Sequence, residues 1–144
     1  AGIYDDLIIT KLEDGYLIIL NAACKEKDFE ILIVCWKPGQ AAAIHGHEGE
    51  KCWMRIESGA LQISNYQLDS ISPLKLTMSG LTKGEVGYLD GPAEIHSVEN
   101  IYEESAISLH IYAKPFDKCD IYDLNEGVIK KTELLYDSMY KKPC

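Results

Sequence analysis

Apolar residues recur along the chain in short blocks rather than long ones. They read YLIILNAA (16–23), FEILIVCW (29–36), KCWMRIESG (51–59), ALQISNYQL (60–68), LKLTMSGL (74–81), EVGYLD (85–90), EIHSVEN (94–100) and AISLHIYA (106–113). The blocks are rich in β-branched and aromatic residues, and Gly, Pro, Asn, Asp or Ser separates them, so each predicts a strand. None carries a sustained 3.6-residue apolar repeat. Helical turns are expected only near the N-terminus and after Thr132, a possible N-cap for ELLYDSMY. Short strands at this spacing predict an all-β sandwich or barrel. The stretch from Gly59 to Leu89 reads as two consecutive hairpins, with Pro73 and Gly80 in the connections. The tail from Asp120 onward has strand-like stretches and a charged, frayed end. No linker, repeat or low-complexity segment interrupts the pattern, so one domain over 1–144 is expected.

Composition narrows the partners. Hydrophobic residues make up 47% and charged residues 26% of the 144, with a formal net charge of −9. That balance argues against nucleic acid or an anionic membrane surface as the main partner. No apolar run approaches the roughly 18 residues of a membrane helix, and no signal-peptide pattern opens the sequence. Five cysteines, an odd number without a CxxC pair, fit free thiols in a reducing cytoplasm better than a disulfide framework. A cytoplasmic location is the expectation.

The four histidines carry the candidate chemistry. On an extended strand His45 and His47 face the same way, and such a pair is a two-point metal clamp. His96, in EIHSVEN, is a third candidate ligand. The fourth, His110, alternates with Ser108 and Tyr112, so all three should project from one face of one strand.

Spacing then connects these residues to a family. Gly39, His45, His47, Cys52 and Gly59 stand in the order G-x5-H-x-H-x4-C-x6-G, which resembles the first cupin motif with cysteine in place of its usual glutamate. His96 and Asn100 resemble the end of the second motif. Together with Ser108, His110 and Tyr112, and with ILIVCWKPGQ (31–40), VEN (98–100) and PFDKC (115–119), the pattern resembles the cysteine dioxygenases over residues 30–123. The resemblance implies a cupin-type β-barrel (jelly roll) with little helix. It implies Fe(II) held by His45, His47 and His96, and a Cys-Tyr thioether joining Cys52 to Tyr112. His110 would hydrogen-bond the Tyr112 hydroxyl, with Ser108 supporting His110. Cys119 matches a cysteine near the family's active site, and Trp36 is read as packing. The implied reaction converts a small thiol, L-cysteine first among them, to its sulfinic acid with O2. Thiol and O2 are the implied partners, and a monomer is expected. With no carboxylate ligand, a three-imidazole centre favours an anionic chelating substrate and keeps a position for O2.

The sequence departs from the family in its substrate grip. The arginine that binds the substrate carboxylate has no counterpart near 15–23, and the chain's only arginine, Arg55, lies three residues after Cys52, on the opposite strand face. Lys11, Lys25 and Lys37 are the candidate replacements, and Tyr16 is a candidate match to a nearby family tyrosine. The family's Ser-Pro after the tyrosine reads Ala113-Lys114 here. Two alternatives follow: a cupin oxygenase acting on another thiol or an amine without a carboxylate, or a non-catalytic metal-binding or sensor cupin. Retention of Cys52 favours cysteine or another amino thiol.

Overall fold

A computed structural model describes residues 16–20, 29–91, 94–114, 118–133, 138–139 and 142–143. Among the described residues every regular element is a strand. In chain order they are β1 (Tyr16–Leu20), β2 (Glu30–Trp36), β3 (Ala41–Gly46), β4 (Cys52–Ser58), β5 (Leu61–Ile71), β6 (Leu74–Gly84) and β7 (Leu89–Asp90). They continue as β8 (Ile95–Glu99), β9 (Ala106–Tyr112), β10 (Lys118–Asp123), β11 (Val128–Glu133), β12 (Ser138–Met139) and β13 (Lys142–Pro143). Two sheets result, ordered β13-β12-β1-β2-β9-β4-β7 and β11-β10-β3-β8-β5-β6. The all-β reading of the apolar pattern therefore holds.

Side-chain alternation explains how the sheets meet. On β4, Cys52, Met54 and Ile56 are buried, while Arg55 between them is exposed. On β9, Ala106, Ser108 and His110 are buried. These faces turn toward the second sheet, and the core between them joins Trp36, Met54, Ile56, Leu61, Ile63, Val98 and Ala106. The run EILIVCW of β2 lacks alternation because both its faces are covered. Trp36 lies in the inter-sheet core, whereas Ile31 and Ile33 pack with Phe29, Ile107 and Leu109 on the other face. Removing a buried side chain such as Ile63 would cost about 2–5 kcal/mol.

Two expectations are corrected. The segment read as two hairpins is one long hairpin: β6 pairs with β5 from Leu74 to Gly84, and Gly80 lies inside β6 opposite Asn65. The third block, β7, pairs with β4 in the other sheet. An edge partner elsewhere in the fold thus overrides the local turn signal. Nor does Thr132 cap a helix, because it sits in β11 opposite Cys119, and Ser138–Met139 is strand. The helical turns expected near the N-terminus lie outside the described residues. The glycine ending the first motif has a steric reason. Gly59 has φ +70, and a Cβ there would stand 2.6 Å from the Ser105 carbonyl oxygen, so only glycine fits without backbone movement.

Candidate metal centre

Strand ends bring the site together. His45 lies near the end of β3, His47 just beyond it, and His96 near the start of β8. In the facing sheet Cys52 opens β4 and Tyr112 closes β9. All five therefore sit at one end of the space between the sheets.

A β-bulge decides which residue of β3 faces inward. Ala42 pairs with Val98 and His45 pairs with His96, so three steps on β3 match two on β8. Regular pairing from Ala42 would set Ile44 opposite the inward-facing His96. The extra residue rephases the strand and sets His45 there instead. His47 follows on the same face, just before a turn in which Glu48 and Gly49 have positive φ.

The three imidazoles form one cluster. Their ligand nitrogens all lie within 4.8 Å of one another. The rings are mutually edge-on, with centroids 4.6–5.0 Å apart and interplanar angles of 67–80°. His45 Nδ1 lies 2.8 Å from the Ala43 carbonyl oxygen. A carbonyl only accepts, so Nδ1 carries the proton and Nε2 presents its lone pair. That Nε2 stands 3.2 Å from Nε2 of His96. On the far side of the His96 ring, Nδ1 is 3.8 Å from Oδ2 of Asp90. Two lone pairs converging at this distance repel unless a proton or a cation lies between them. The arrangement fits a borderline divalent metal such as iron, whose imidazole ligands characteristically give their second N–H to a carbonyl or carboxylate.

Electrostatics keeps the cluster ready for metal. Burial, and then the neighbouring His96, lower the His45 pKa to about 3, leaving the ring neutral at physiological pH. His110 is also pulled down to about 3, chiefly by burial and then by the three other histidines. Contact with His96 holds the Asp90 carboxyl below its ordinary range. Burial pushes the Cys52 thiol up to about 12, opposed by a hydrogen bond with Tyr112 and reinforced by Asp90. Cys52 is thus a protonated thiol, unsuited to nucleophilic attack at neutral pH.

Opposite the histidines, pairing lines up two interior rows. Cys52 pairs with Tyr112, which pairs on its other side with the buried Glu30. One step deeper, Met54 pairs with His110, and His110 with Leu32. The Tyr112 ring lies 5.8 Å from His47 and 6.3 Å from His110 between centroids. His110 Nε2 is 2.7 Å from Ser108 Oγ, and Trp36 Nε1–H donates to the same oxygen at 2.8 Å. Among the described residues, His110 Nδ1 is buried and has no hydrogen-bond partner. Ser108 accepts from Trp36 and can give its own proton to His110.

Sequence reasoning missed several participants. Trp36 packs in the core as expected, but its indole N–H also anchors Ser108, 72 positions away. No local signal marks that contact. Asp90 and Glu30 reach the site through pairing partners that the chain does not announce locally. Asn100 is fully buried and ties together loops at the opposite end of β8 from His96. Its Nδ2 donates to the carbonyls of Trp36 at 3.0 Å and Glu104 at 2.8 Å, and its Oδ1 accepts from Tyr102 N at 3.1 Å. Cys119 is buried on β10, on the face of Ile121, which pairs with His45. Arg55 points outward, as its parity with Cys52 predicts, and pairs with Glu57 at 3.2 Å. Lys37 is excluded as the carboxylate anchor: it follows Trp36, six strand positions or about 20 Å from the row of Glu30 and Tyr112. Lys11 and Lys25 lie outside the described residues. Tyr16 starts β1 opposite Cys35, far from that row.

The chain resembles cysteine dioxygenase type 1 of Rattus norvegicus, with 28% identity over 116 residues, and that of Homo sapiens, with 29%. The alignments cover 78% of this chain and 58% of each relative, so the chain spans less than two-thirds of the length of the curated relatives it matches. Among solved structures it resembles a cupin domain of Schizosaccharomyces pombe, with a TM-score of 0.56 and 13% identity, covering 74% of this chain and 65% of that one. It also resembles a cupin-superfamily sugar phosphate isomerase from Silicibacter pomeroyi, with a TM-score of 0.53 and 16% identity, covering 79% and 73%. These likenesses show the cupin fold. The sequence profile described as "Cysteine dioxygenase type I" matches residues 19–125. With the fold and that match together, this chain belongs to the cysteine dioxygenase type I family.

Proposed function

We propose that the chain is an iron-dependent thiol dioxygenase converting a small thiol, with L-cysteine the foremost candidate, to its sulfinic acid. One observation carries this reading: a three-imidazole cluster faces a sheet on which Cys52 is paired directly with Tyr112. Iron held by His45, His47 and His96 would supply the redox chemistry that joins O2 to a bound thiolate sulfur. The donor set adds no negative charge of its own and so selects an anionic sulfur ligand. The Tyr112 ring stands beside His47, 5.8 Å away between centroids, and its hydroxyl would interact with what binds at the cluster. Ser108 and Trp36 hold the neutral His110 in place next to the tyrosine ring. Both oxygen atoms end on sulfur, RSH + O2 → RSO2H, so turnover needs no external reductant.

The thioether belongs to the same proposal. Joining Cys52 to Tyr112 removes two protons, one from S–H and one from the ring carbon, and two electrons, which reduce one O2 to hydrogen peroxide. The protonated state of Cys52 favours such an oxidative route over nucleophilic addition. A crosslinked phenol is held rigidly and is more acidic than free tyrosine.

The test is oxygen uptake and sulfinate formation by iron-loaded protein with cysteine, cysteamine, 3-mercaptopropionate and a bulkier thiol. Stoichiometric sulfinate from cysteine supports the full reading. Iron-loaded protein that consumes no oxygen with any thiol overturns it and leaves the metal-binding or sensor alternative.

A second reading has its own observation. The groove of about 810 Å³ beside His47 is lined by Glu48, Glu50, Glu94 and Asp120, against Lys51. Among the described residues Arg55 is the sole arginine, and it faces outward. That charge pattern favours an amino thiol without a carboxylate, and sulfinate from cysteamine but not cysteine would select it.

A further inference from the structure

The carboxylate behind His96 has no place in the proposed thiol chemistry. Asp90 lies on β7, paired with Met54 and turned inward, and it is 9% exposed. Tyr88 hydroxyl donates to its Oδ1 at 3.3 Å and holds the group from the far side. Its other oxygen, Oδ2, is buried and has no hydrogen-bond partner, and neither has Nδ1 of His96. These two orphaned atoms face each other at 3.8 Å. A closure of about 1 Å would make them an ordinary charge-assisted hydrogen bond.

Two buried polar atoms left in this state cost stability unless something completes them. Placing the single ring proton of neutral His96 on Nδ1 rather than Nε2 completes both and leaves the Nε2 lone pair facing His45. We propose that Asp90 is a positioning residue for the metal centre: it takes the Nδ1–H of His96, aims Nε2 at the metal, and supplies the buried negative charge that three neutral imidazoles lack. The Ala43 carbonyl does the same orienting work for His45 but adds no full charge. The glutamate of the usual cupin motif is cysteine here. Asp90 therefore returns a carboxylate to the centre at one remove, through a ligand rather than as one. This inference rests on the metal-binding reading of the cluster and does not depend on which thiol is oxidised.

Its test is the affinity of the full metal-free chain for Co(II), measured by competition with a chelator, for wild type, Asp90→Asn, Asp90→Glu and Asp90→Ala. Thermal unfolding of each metal-free protein verifies the fold. Asp90→Asn keeps the shape without the charge and is expected to bind Co(II) 10- to 100-fold more weakly. Asp90→Glu is expected to recover part of the loss. The exchangeable imidazole N–H proton resonance of the Co(II)-loaded wild type is expected to move in Asp90→Asn, which a purely structural role would not produce. A folded Asp90→Asn with wild-type affinity overturns the proposal, as does equal weakening of Asp90→Asn and Asp90→Glu. Should Asp90→Ala fail to fold, the near-isosteric Asp90→Asn still decides. Wild-type protein that binds Co(II), and whose iron-loaded form oxidises no thiol, overturns the dioxygenase reading while leaving the role of Asp90 intact.

Discussion

Cys52 and Tyr112 occupy directly paired positions on adjacent antiparallel strands, β4 and β9, with both side chains turned to the interior. Opposed Cβ atoms in such a pair lie about 4.5–5.5 Å apart, so sulfur reaches the edge of the phenol ring without backbone rearrangement. After turnover with iron and O2, proteolysis should yield a peptide containing residue 52 joined to one containing residue 112, lighter than their sum by two hydrogens. Cys52→Ser should abolish the joined peptide and lower kcat/KM about 10-fold. Tyr112→Phe should lower kcat about 100-fold. A fully alkylatable Cys52 in turned-over, denatured wild type would contradict this prediction.

Metal and fold are coupled at the cluster. Iron that binds only the folded chain raises its stability by about 2.7 kcal/mol at a free concentration 100 times Kd. Calorimetry should show an iron-dependent rise in Tm for wild type that His47→Ala and His96→Ala both lose. An equal rise in His96→Ala would place the metal elsewhere.

Stability of the metal-free protein should fall as pH falls below 6.5. His45 and His110 have folded pKa values of about 3, against about 6.5 when unfolded. Between those values the unfolded chain binds more protons, so stability rises with pH there and the contribution is complete above 6.5. Each histidine accounts for about 1.4 kcal/mol per pH unit inside that window. Urea titrations between pH 7.5 and 5 test it, and His110→Gln should flatten the slope. A pH-independent midpoint would show that these rings accept protons without unfolding.

Trp36→Phe separates packing from hydrogen bonding. The phenyl ring keeps most of the buried apolar volume but removes the donor to Ser108 Oγ. Leaving a buried partner unmatched costs about 1–3 kcal/mol. Thermal melts should show that loss, accompanied by lower turnover as Ser108 and His110 become less firmly placed. Unchanged stability and turnover would return Trp36 to a packing role alone.

Gly91 links a turn to the site. Its φ is +136, and a Cβ there would stand 2.6 Å from the Cys52 carbonyl oxygen. Gly91→Ala should destabilise by about 1–3 kcal/mol and slow thioether formation by shifting the first residue of β4. Wild-type crosslinking in this variant would show that β4 absorbs the clash without moving Cys52.

Much of this architecture was legible in the sequence because it is encoded locally. Strand character follows from period-two patterning and β-branched residues, as in the alternation of β4 and β9. The same period places Ser108, His110 and Tyr112 on one face and turns Arg55 away from Cys52. The spacing of His45, His47 and Cys52 carried the family resemblance. The long β5–β6 hairpin is not legible locally: Gly80 looks like a turn residue, yet pairing across two 11-residue strands carries the chain straight through it.

Only the tertiary structure decided the rest. The bulge in β3 that puts His45 rather than Ile44 opposite His96 is a property of the β3–β8 pair, and neither strand encodes it alone. Trp36 meets Ser108 across 72 positions, and His45 meets His96 across 51. Asp90 comes to His96 because β7 left the hairpin the local signals predict and joined the opposite sheet. Local periodicity sets which way a side chain points from its own strand. Which residue it then faces depends on strand pairing between distant segments, set by burying both sheets around one core.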